Sequence, residues 1–419
     1  MKIKVNVEQL KTGMYVSELD RPWLGTPFLF QGFAVEDDEQ LTQLRELCEF
    51  VYVDVEQSVR DIVPHLQKLA AAPQVKKAPK RAPRRAPQAQ DGTDHFAFHA
   101  ELRKARPHYD ATRTYIEEAL EDVRLGQSVD TKAARRLVGQ LADSILRNAN
   151  ALVWLTHLKE RDQYTVTHCI NVCILTLSFA RCLGIGREEM QTAGLGALLH
   201  DLGKMRVPLE ILNKPGKLTD EEFEIIKTHP VHGYNLLRDK EELTEEVLDI
   251  VHYHHERIGG RGYPKGFTGD QISQLTKLVS IVDVYDAVTS DRCYHDGITP
   301  HQALNNIYKW APGNFDQELV ESFIRCLGIY PIGSLVELNT GDIGVVVVAT
   351  ERNRLRPMVL LVLDADHKPY SQRTIINLAN PKWAEGGEKL EIVHILEGDA
   401  YGINVPAIIE DECRQLESA

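Results

Sequence analysis

The chain is 419 residues long, 43% of its residues are hydrophobic and 26% are charged, and its formal net charge at pH 7 is -13. A chain of this length has room for two or three domains of about 100–200 residues each, and the composition is that of an ordinary globular protein. The acidic balance excludes a protein that binds nucleic-acid polymers through a broad basic surface. A small anionic substrate remains compatible with it, because a bound metal ion supplies local positive charge.

Seven scattered cysteines without a Cys-x-x-Cys pair are typical of reduced thiols; they are Cys48, Cys169, Cys173, Cys182, Cys293, Cys326 and Cys413. Cys169 and Cys173 follow His168 at helical spacing, and we interpret both as buried small hydrophobic residues rather than metal ligands. The first residues lack the apolar core of a signal peptide, and no run reaches the roughly 18 apolar residues of a membrane-spanning helix. We therefore expect a cytoplasmic protein.

The N-terminal part of the chain predicts a small α/β module over residues 1–66. Strand-like pieces cover 2–7, 28–33 and 50–55, and a helical pattern covers 38–47. Residues 67–95 are rich in alanine, proline and basic side chains, cannot bury a core, and predict an extended linker. Its positive charge leaves two interpretations open, a solvated spacer and a contact with an anionic surface.

Helical periodicity dominates the middle of the chain. It predicts connecting helices over residues 96–150 and an all-helical central domain over 151–330, with helices at 162–183, 245–253, 275–288, 300–307 and 317–327. Strand-like runs at 334–338, 344–349 and 358–363 then predict a small β-rich module over 331–409, followed by a polar tail over 410–419. The predicted fold is therefore multidomain and mainly α.

Polar residues that close an apolar run give the first indication of a functional site. Residues 194–199 are small and apolar, and they lead into His200-Asp201-Leu202-Gly203-Lys204. Charged groups at the end of a buried segment cost several kcal/mol unless they are paired or bind a metal ion. Adjacent nitrogen and oxygen ligands suit a hard or borderline divalent ion, and Lys204 could meet an anion held by that ion. A salt-bridged helix end is the alternative that this pair alone leaves open.

Further side chains of metal-ligand type lie in other helical segments. They are His168, either His229 or His232, the adjacent His254 and His255 before a glycine-rich loop, and Asp283, which looks more buried than Asp286. Imidazole and carboxylate without thiolate favour iron or manganese over structural zinc. The set suffices for two ions bridged by Asp201, and two ions about 3.5–4 Å apart suit phosphoester hydrolysis. Lys204 and Arg292 could then hold phosphate oxygens, and the loop around Tyr263 could form a pocket wall.

The ordered series of these motifs over residues 150–330 resembles the HD-GYP family of bacterial cyclic-di-GMP phosphodiesterases. It comprises His200-Asp201-Leu202-Gly203-Lys204, Lys227-Thr228-His229-x-x-x-Gly233, His254-His255-Glu256, and Gly262-Tyr263-Pro264 followed by Asp283. The resemblance implies an HD fold and hydrolysis of cyclic di-GMP to pGpG and onward to GMP. It makes the metal ligands His168, His200, Asp201, His229, His254, His255 and Asp283, and it assigns phosphate contact to Lys204 and the substrate pocket to Tyr263 and Arg292. The terminal modules are similar, more weakly, to the flanking regions of one HD-GYP subgroup.

Two positions depart from the family pattern. Members with a third metal carry a glutamate where this chain has Tyr164, so we expect two metal ions. The family loop usually has an aspartate where this chain has Gly259, which leaves open a weakly active or inactive cyclic-di-GMP receptor. An HD hydrolase of another nucleotide is a further alternative. A signalling-protein partner or a homodimer is also compatible with the terminal modules.

Overall fold

The computed structural model describes residues 2–20, 26, 28, 32–59, 62–70, 92–158, 164–290, 297–349, 355–380, 390–397 and 400–418. The chain divides into two compact units, residues 1–84 and 85–419. Most of the predicted linker, residues 71–91, lies outside the described residues, and its two ends belong to helices.

The first unit is a four-stranded antiparallel sheet with two helices. Its elements are β1 (Lys2–Asn6), β2 (Tyr15–Leu19), β3 (Phe33–Ala34), α1 (Asp38–Leu47), β4 (Phe50–Asp54) and α2 (Val63–Ala70), with strand order β1-β4-β2-β3. Alternating exposed and buried residues in β1 give the sheet one apolar face. The sequence predicted α1 correctly and missed β2, and of the strand predicted at 28–33 only residue 33 lies in a strand, while 29–31 lie outside the described residues.

Helices make up most of the second unit, as predicted. They are α3 (Gly92–Arg124), α4 (Thr131–Leu155), α5 (Tyr164–Cys182), α6 (Arg187–Leu199), α7 (Leu209–Leu212), α8 (Asp220–Ile226), α9 (His229–Leu237), α10 (Glu245–Tyr253), α11 (Gln274–Thr289), α12 (Pro300–Trp310) and α13 (Gln317–Leu327). A non-helical backbone at Asn148 kinks α4. A capping box of Thr219 and Glu222 begins α8.

Helix α5 carries His168 through the centre of the helical layer. It is 19 residues long with a mean hydropathy of 1.3 over its most apolar window, so it is long and apolar enough to span a membrane by length and composition alone. Because 72% of that window is buried against the rest of the unit, α5 has the surroundings of a core helix.

The C-terminal part of the second unit is a five-stranded antiparallel sheet followed by a helix. The strands are β5 (Leu335–Leu338), β6 (Ile343–Val348), β7 (Met358–Leu363), β8 (Ile375–Asn377) and β9 (Ile392–Ile395), in the order β8-β7-β6-β5-β9. The sequence predicted β5, β6 and β7 and missed the other two. Helix α14 (Val405–Ser418) includes most of the residues expected to form a polar tail, and it buries Ile409 and Cys413.

A disulfide between Cys182 and Cys326 corrects the expectation of uniformly reduced thiols. The end of α5 lies against α13 with the two Cα atoms 6.0 Å apart, which is within the range that a disulfide spans. The two cysteines are 144 residues apart in the sequence, so spacing gave no indication of the pairing. Four further cysteines are buried, namely Cys48, Cys169, Cys173 and Cys413, whereas Cys293 lies outside the described residues.

Candidate metal centre

A tight turn after α6 places Asp201 at the centre of the helical layer. Asp201 is fully buried and precedes a short 3-10 helix over Leu202–Arg206. A Cβ atom at Gly203 would lie 2.0 Å from the carbonyl oxygen of His229 and 2.5 Å from the amide nitrogen of Gly233. Only glycine therefore allows α9 to lie against this turn. That contact brings Nε2 of His229 to 3.3 Å from Oδ1 of Asp201.

The two carboxylate oxygens of Asp201 face different pairs of histidines. Oδ2 lies 3.5 Å from Nε2 of His168 and 3.3 Å from Nε2 of His200. Oδ1 lies 3.3 Å from Nε2 of His229 and 4.0 Å from Nε2 of His254. A carboxylate with one oxygen directed at each of two donor groups has the geometry to bridge two cations.

Asp283 and His255 complete two groups of donors, which we call the first side and the second side. The first side consists of His168, His200 and Asp283, and the second side of His229, His254 and His255; in each, the donor atoms lie within 4.8 Å of one another. Oδ1 of Asp283 is 3.1 Å from Nε2 of His168, and its Oδ2 is 3.8 Å from Nδ1 of His255. The structure thus brings together all seven residues that the resemblance named as ligands.

Backbone carbonyls orient three of the imidazole rings. Nδ1 of His200 lies 2.6 Å from the carbonyl oxygen of Ala197. Nδ1 of His229 lies 2.7 Å from the carbonyl oxygen of Ile226, and Nδ1 of His254 lies 3.0 Å from that of Val251. Donation from Nδ1–H leaves the Nε2 lone pair directed into the cluster, as metal coordination requires. Nε2 of His200 and Oδ1 of Asp201 are buried and make no hydrogen bond to any described residue. Buried donor atoms of this kind fit a bound cation.

Charge states on the two sides of Asp201 differ. Burial, together with the neighbouring imidazoles, lowers the pKa of His254 and of His255 well below the ordinary value, so both rings are neutral and able to coordinate. Burial opposes ionisation of Asp201, but the charges of His200 and Lys204 outweigh it and hold the pKa of this carboxyl well below its usual range. Burial also opposes protonation of His168, yet hydrogen bonds to Asp283 and Asp286 raise its pKa to about 9.

Asp286 contacts the donor cluster, although the sequence analysis did not include it in the site. The sequence favoured Asp283 as the more buried carboxylate, yet Asp286 is only 3% exposed. Its Oδ2 lies 2.7 Å from Nδ1 of His168, and its Oδ1 accepts a 3.0 Å hydrogen bond from Nδ2 of Asn171. A carboxylate behind a ligating histidine fixes the ring and raises its basicity. The three-residue spacing from Asp283, which puts both carboxylates on one face of α11, was the available signal.

The predicted substrate-binding residues have different surroundings. Nζ of Lys204 donates to Oδ2 of Asp201 over 2.5 Å, and the lysine side chain is 19% exposed. The ring of Tyr263 lies 4.7 Å from that of His255, centroid to centroid. Arg292 lies outside the described residues. His232, the alternative to His229, is half-buried and belongs to none of the donor groups found among the described residues.

Cys169 and Tyr164 border the first side. The thiol of Cys169 lies within 4.8 Å of donor atoms of His200 and Asp201. Burial raises its pKa well above the ordinary value, which favours the protonated thiol. The Tyr164 ring stacks on His168 with a centroid distance of 5.5 Å and an interplanar angle of 10°, so an aromatic ring occupies the position of the family's additional glutamate.

Hydrogen bonds hold the glycine-rich loop, which lies next to the second side, at two points. The buried carboxylate of Glu256 accepts hydrogen bonds of 2.6, 3.1 and 2.9 Å from the amides of Lys265, Gly266 and Phe267. The amide of Gly259 donates to the carbonyl oxygen of Gly313 over 3.0 Å. A Cβ atom at Gly259 would lie 2.6 Å from that oxygen. This backbone pairing therefore has no room for the aspartate that the family usually carries there.

Comparison with known proteins agrees with this geometry. Three family models match: a domain of unknown function over residues 2–134, an HD domain over 148–319, and a KOW domain associated with HD domains over 335–384. Cyclic di-GMP phosphodiesterase PA4108 of Pseudomonas aeruginosa is 37% identical over 377 residues, which is 90% of this chain and 88% of that protein.

Two further relatives match a smaller share of the chain. The cyclic di-GMP phosphodiesterase response regulator RpfG of Xanthomonas campestris is 37% identical over 35% of this chain and 39% of its own length. The 3'3'-cGAMP-specific phosphodiesterase 2 of Vibrio cholerae is 32% identical over 40% of this chain and 32% of its own length. Because the similarity to the Pseudomonas protein spans most of both sequences, the chain belongs to the HD-GYP family.

Proposed function

We propose that this protein is a metal-dependent phosphodiesterase that hydrolyses cyclic di-GMP to pGpG and GMP. The observation that carries the proposal is the buried Asp201 carboxylate, whose two oxygens face two separate groups of imidazole donors. The relative that matches most of the chain is named for the same substrate. We assign the chemistry to the predicted central domain, residues 151–330.

The proposed centre holds two divalent ions, iron or manganese, with Asp201 as the bridge. The ligands are His168, His200 and Asp283 for one ion and His229, His254 and His255 for the other, and the second oxygen of Asp283 lies near His255. Nitrogen and oxygen ligands without thiolate suit these metals. When bound, such a pair of ions activates water and neutralises charge on a phosphodiester.

The remaining side chains bind and orient the substrate. The Lys204 side chain is 19% exposed and its ammonium lies beside Asp201, from which a non-bridging phosphate oxygen can draw it. Tyr263 packs on His255 and limits how deeply the dinucleotide enters. Arg292 is proposed as a further phosphate contact from its place in the sequence alone. A signalling partner or a homodimer stays a prediction.

The test is turnover of cyclic di-GMP by manganese-loaded or iron-loaded protein, with Asp201→Ala as the inactive variant and His232→Ala as a matched control outside the cluster. We expect GMP to form with the wild-type protein and with His232→Ala, and activity at least 1,000-fold lower in Asp201→Ala, which corresponds to a loss of about 4 kcal/mol. Retained turnover in Asp201→Ala would refute the mechanism.

A substrate panel separates the proposal from its two alternatives. It contains cyclic di-GMP, 3'3'-cGAMP and linear pGpG, because one relative is named for 3'3'-cGAMP. Faster hydrolysis of 3'3'-cGAMP than of cyclic di-GMP would reassign the substrate. Binding of cyclic di-GMP without any hydrolysis at full metal occupancy would make the protein a receptor.

A further inference from the structure

A cavity of about 140 Å³ lies behind the metal centre, between the helical layer and the C-terminal sheet. Its walls come from the ends of α4, α11 and α13, from β5 and β9, and from the beginning of α14. Neither the seven ligands nor the proposed substrate-binding residues line it. The cavity is therefore a feature that the proposed phosphodiesterase activity does not use.

The lining combines an apolar part with a smaller polar part. Leu175, Leu335 and Leu396 contribute hydrocarbon, whereas Thr156, Ser290 and Ser334 contribute hydroxyl groups. Ser334 is 3% exposed, and its Oγ makes no hydrogen bond to any described residue. A buried hydroxyl without a partner is uncommon in folded proteins, and beside a cavity it indicates a missing hydrogen-bonding group.

We propose that this cavity binds a small amphipathic effector, of the size of one six-membered ring with a single hydroxyl group. The volume is close to that of an engineered cavity of about 150 Å³ that binds benzene. The apolar walls would cover the ring, and the ligand hydroxyl would pair with Ser334. Water is the competing occupant near Thr156, Ser290 and Ser334, but it would leave the leucine walls without an apolar contact.

The position of the cavity connects it to the metal centre through one side chain. Asp286 lines the cavity and also holds Nδ1 of His168 at 2.7 Å. The hydroxyl of Ser290, another lining residue, lies 3.4 Å from the same carboxylate oxygen. An occupant that moves Ser290 or Asp286 would change the orientation of His168. This regulatory part rests on the proposed function, whereas binding to the cavity does not.

Binding is tested with phenol and benzene on the full chain by calorimetry. We expect saturable phenol binding with a Kd on the order of 1 mM or below. Ser334→Ala should weaken phenol binding about threefold to tenfold and leave benzene binding unchanged, while Ser128→Ala, which alters an exposed serine outside the cavity lining, should change neither. Absence of saturation, or equal effects of Ser334→Ala on both ligands, would overturn the site.

A measurement on the unmodified protein tests the binding site even if the Ser334→Ala variant does not fold. With methyl-labelled protein, nuclear Overhauser effects from phenol ring protons should reach the methyl groups of Leu335 and Leu396. Contacts to other leucines alone would place phenol elsewhere and refute the proposal.

The rate of cyclic di-GMP hydrolysis tests whether the bound ligand acts as an effector. Saturating phenol should change the rate of cyclic di-GMP hydrolysis by at least about twofold, since changes behind a metal ligand alter activity or metal affinity. An unchanged rate with bound phenol would refute the effector role and leave a binding site. If the protein hydrolyses no cyclic di-GMP at all, the proposed function fails while the calorimetry still decides the binding.

Discussion

Different chemical groups orient the histidines on the two sides of Asp201. On the first side, a carboxylate network orients His168, because Asp286 holds Nδ1 of this histidine and Asn171 holds Asp286. On the second side, main-chain carbonyl oxygens of Ile226 and Val251 orient the rings. His168 on the first side therefore depends on side chains that a single substitution removes. His200 on the same side is oriented by the main-chain carbonyl oxygen of Ala197, and the second side depends on the path of the backbone.

One ring of the second side is more accessible than the other histidines. His255 is 18% exposed in its side chain and lies against Tyr263, whereas His229 and His254 are 1% and 0% exposed and His168 and His200 are 2% and 0% exposed. The proposed substrate pocket would therefore open beside His255, where the glycine-rich loop passes, and the other four histidines form the enclosed part of the centre.

The largest expected effect comes from removing one histidine on either side. His200→Ala should lose one metal ion per chain and keep the other, and His254→Ala should do the converse. Each variant should lose about 1,000-fold in turnover, because one ion contributes several kcal/mol. Metal analysis by mass spectrometry with parallel rate measurements checks this, with His232→Ala as the control. Loss of both ions in each variant would show that the two sides are not separable.

Asp286→Asn should have a smaller effect confined to the first side. An amide can still hydrogen-bond, but it carries no charge to support His168, so metal affinity on this side should fall about 10-fold to 100-fold. Competition with a chelator measures the two affinities separately. Asp270→Asn, which alters an exposed aspartate in the glycine-rich loop region, serves as the control. An equal fall on both sides would contradict the division described above.

Regular periodicity explains which parts of the fold the sequence predicted. Helices α1, α10 and α13 and strand β7 have the bounds that their patterns indicated, because each buries one face or lies fully in the core. Strand β9 has a mixed pattern of exposure, and β8 has only three residues. Such elements are held by their neighbours in the sheet rather than by their own sequence, so local patterns could not identify them.

The candidate site was also predictable from the sequence only in part. Sequence motifs identified the seven proposed ligands. Spacing alone could not choose between His229 and His232, since both lie on one helix. The role of Asp286 depends on how α11 faces α5, and the Cys182–Cys326 disulfide depends on how α5 meets α13. These are contacts between segments far apart in the sequence, which one sequence without its fold does not specify.

The close contact between Gly203 and the backbone of His229 predicts that a substitution at Gly203 lowers stability. Gly203→Ala places a Cβ atom 2.0 Å from the His229 carbonyl oxygen, and a backbone atom cannot move aside as a flexible side chain does. We expect the free energy of unfolding to fall by about 1–3 kcal/mol, with weaker metal binding on the second side. Urea denaturation measures the first quantity. Gly269→Ala, whose Cβ atom would make only ordinary contacts of 3.5 Å or more, is the matched control.

The smallest effect is expected at Gly259, where this chain departs from its family. Gly259→Ala introduces the Cβ atom alone and Gly259→Asp adds the family's carboxylate, and both meet the carbonyl oxygen of Gly313 at 2.6 Å. Because the overlap at 2.6 Å is less severe than the one at 2.0 Å beside Gly203, we expect a loss of about 1 kcal/mol and a higher KM for cyclic di-GMP, with kcat and metal content unchanged. Urea denaturation and steady-state kinetics measure these quantities. If Gly259→Asp instead lowers KM, the paired backbone at Gly313 is dispensable, and the aspartate contributes to substrate binding even in this loop.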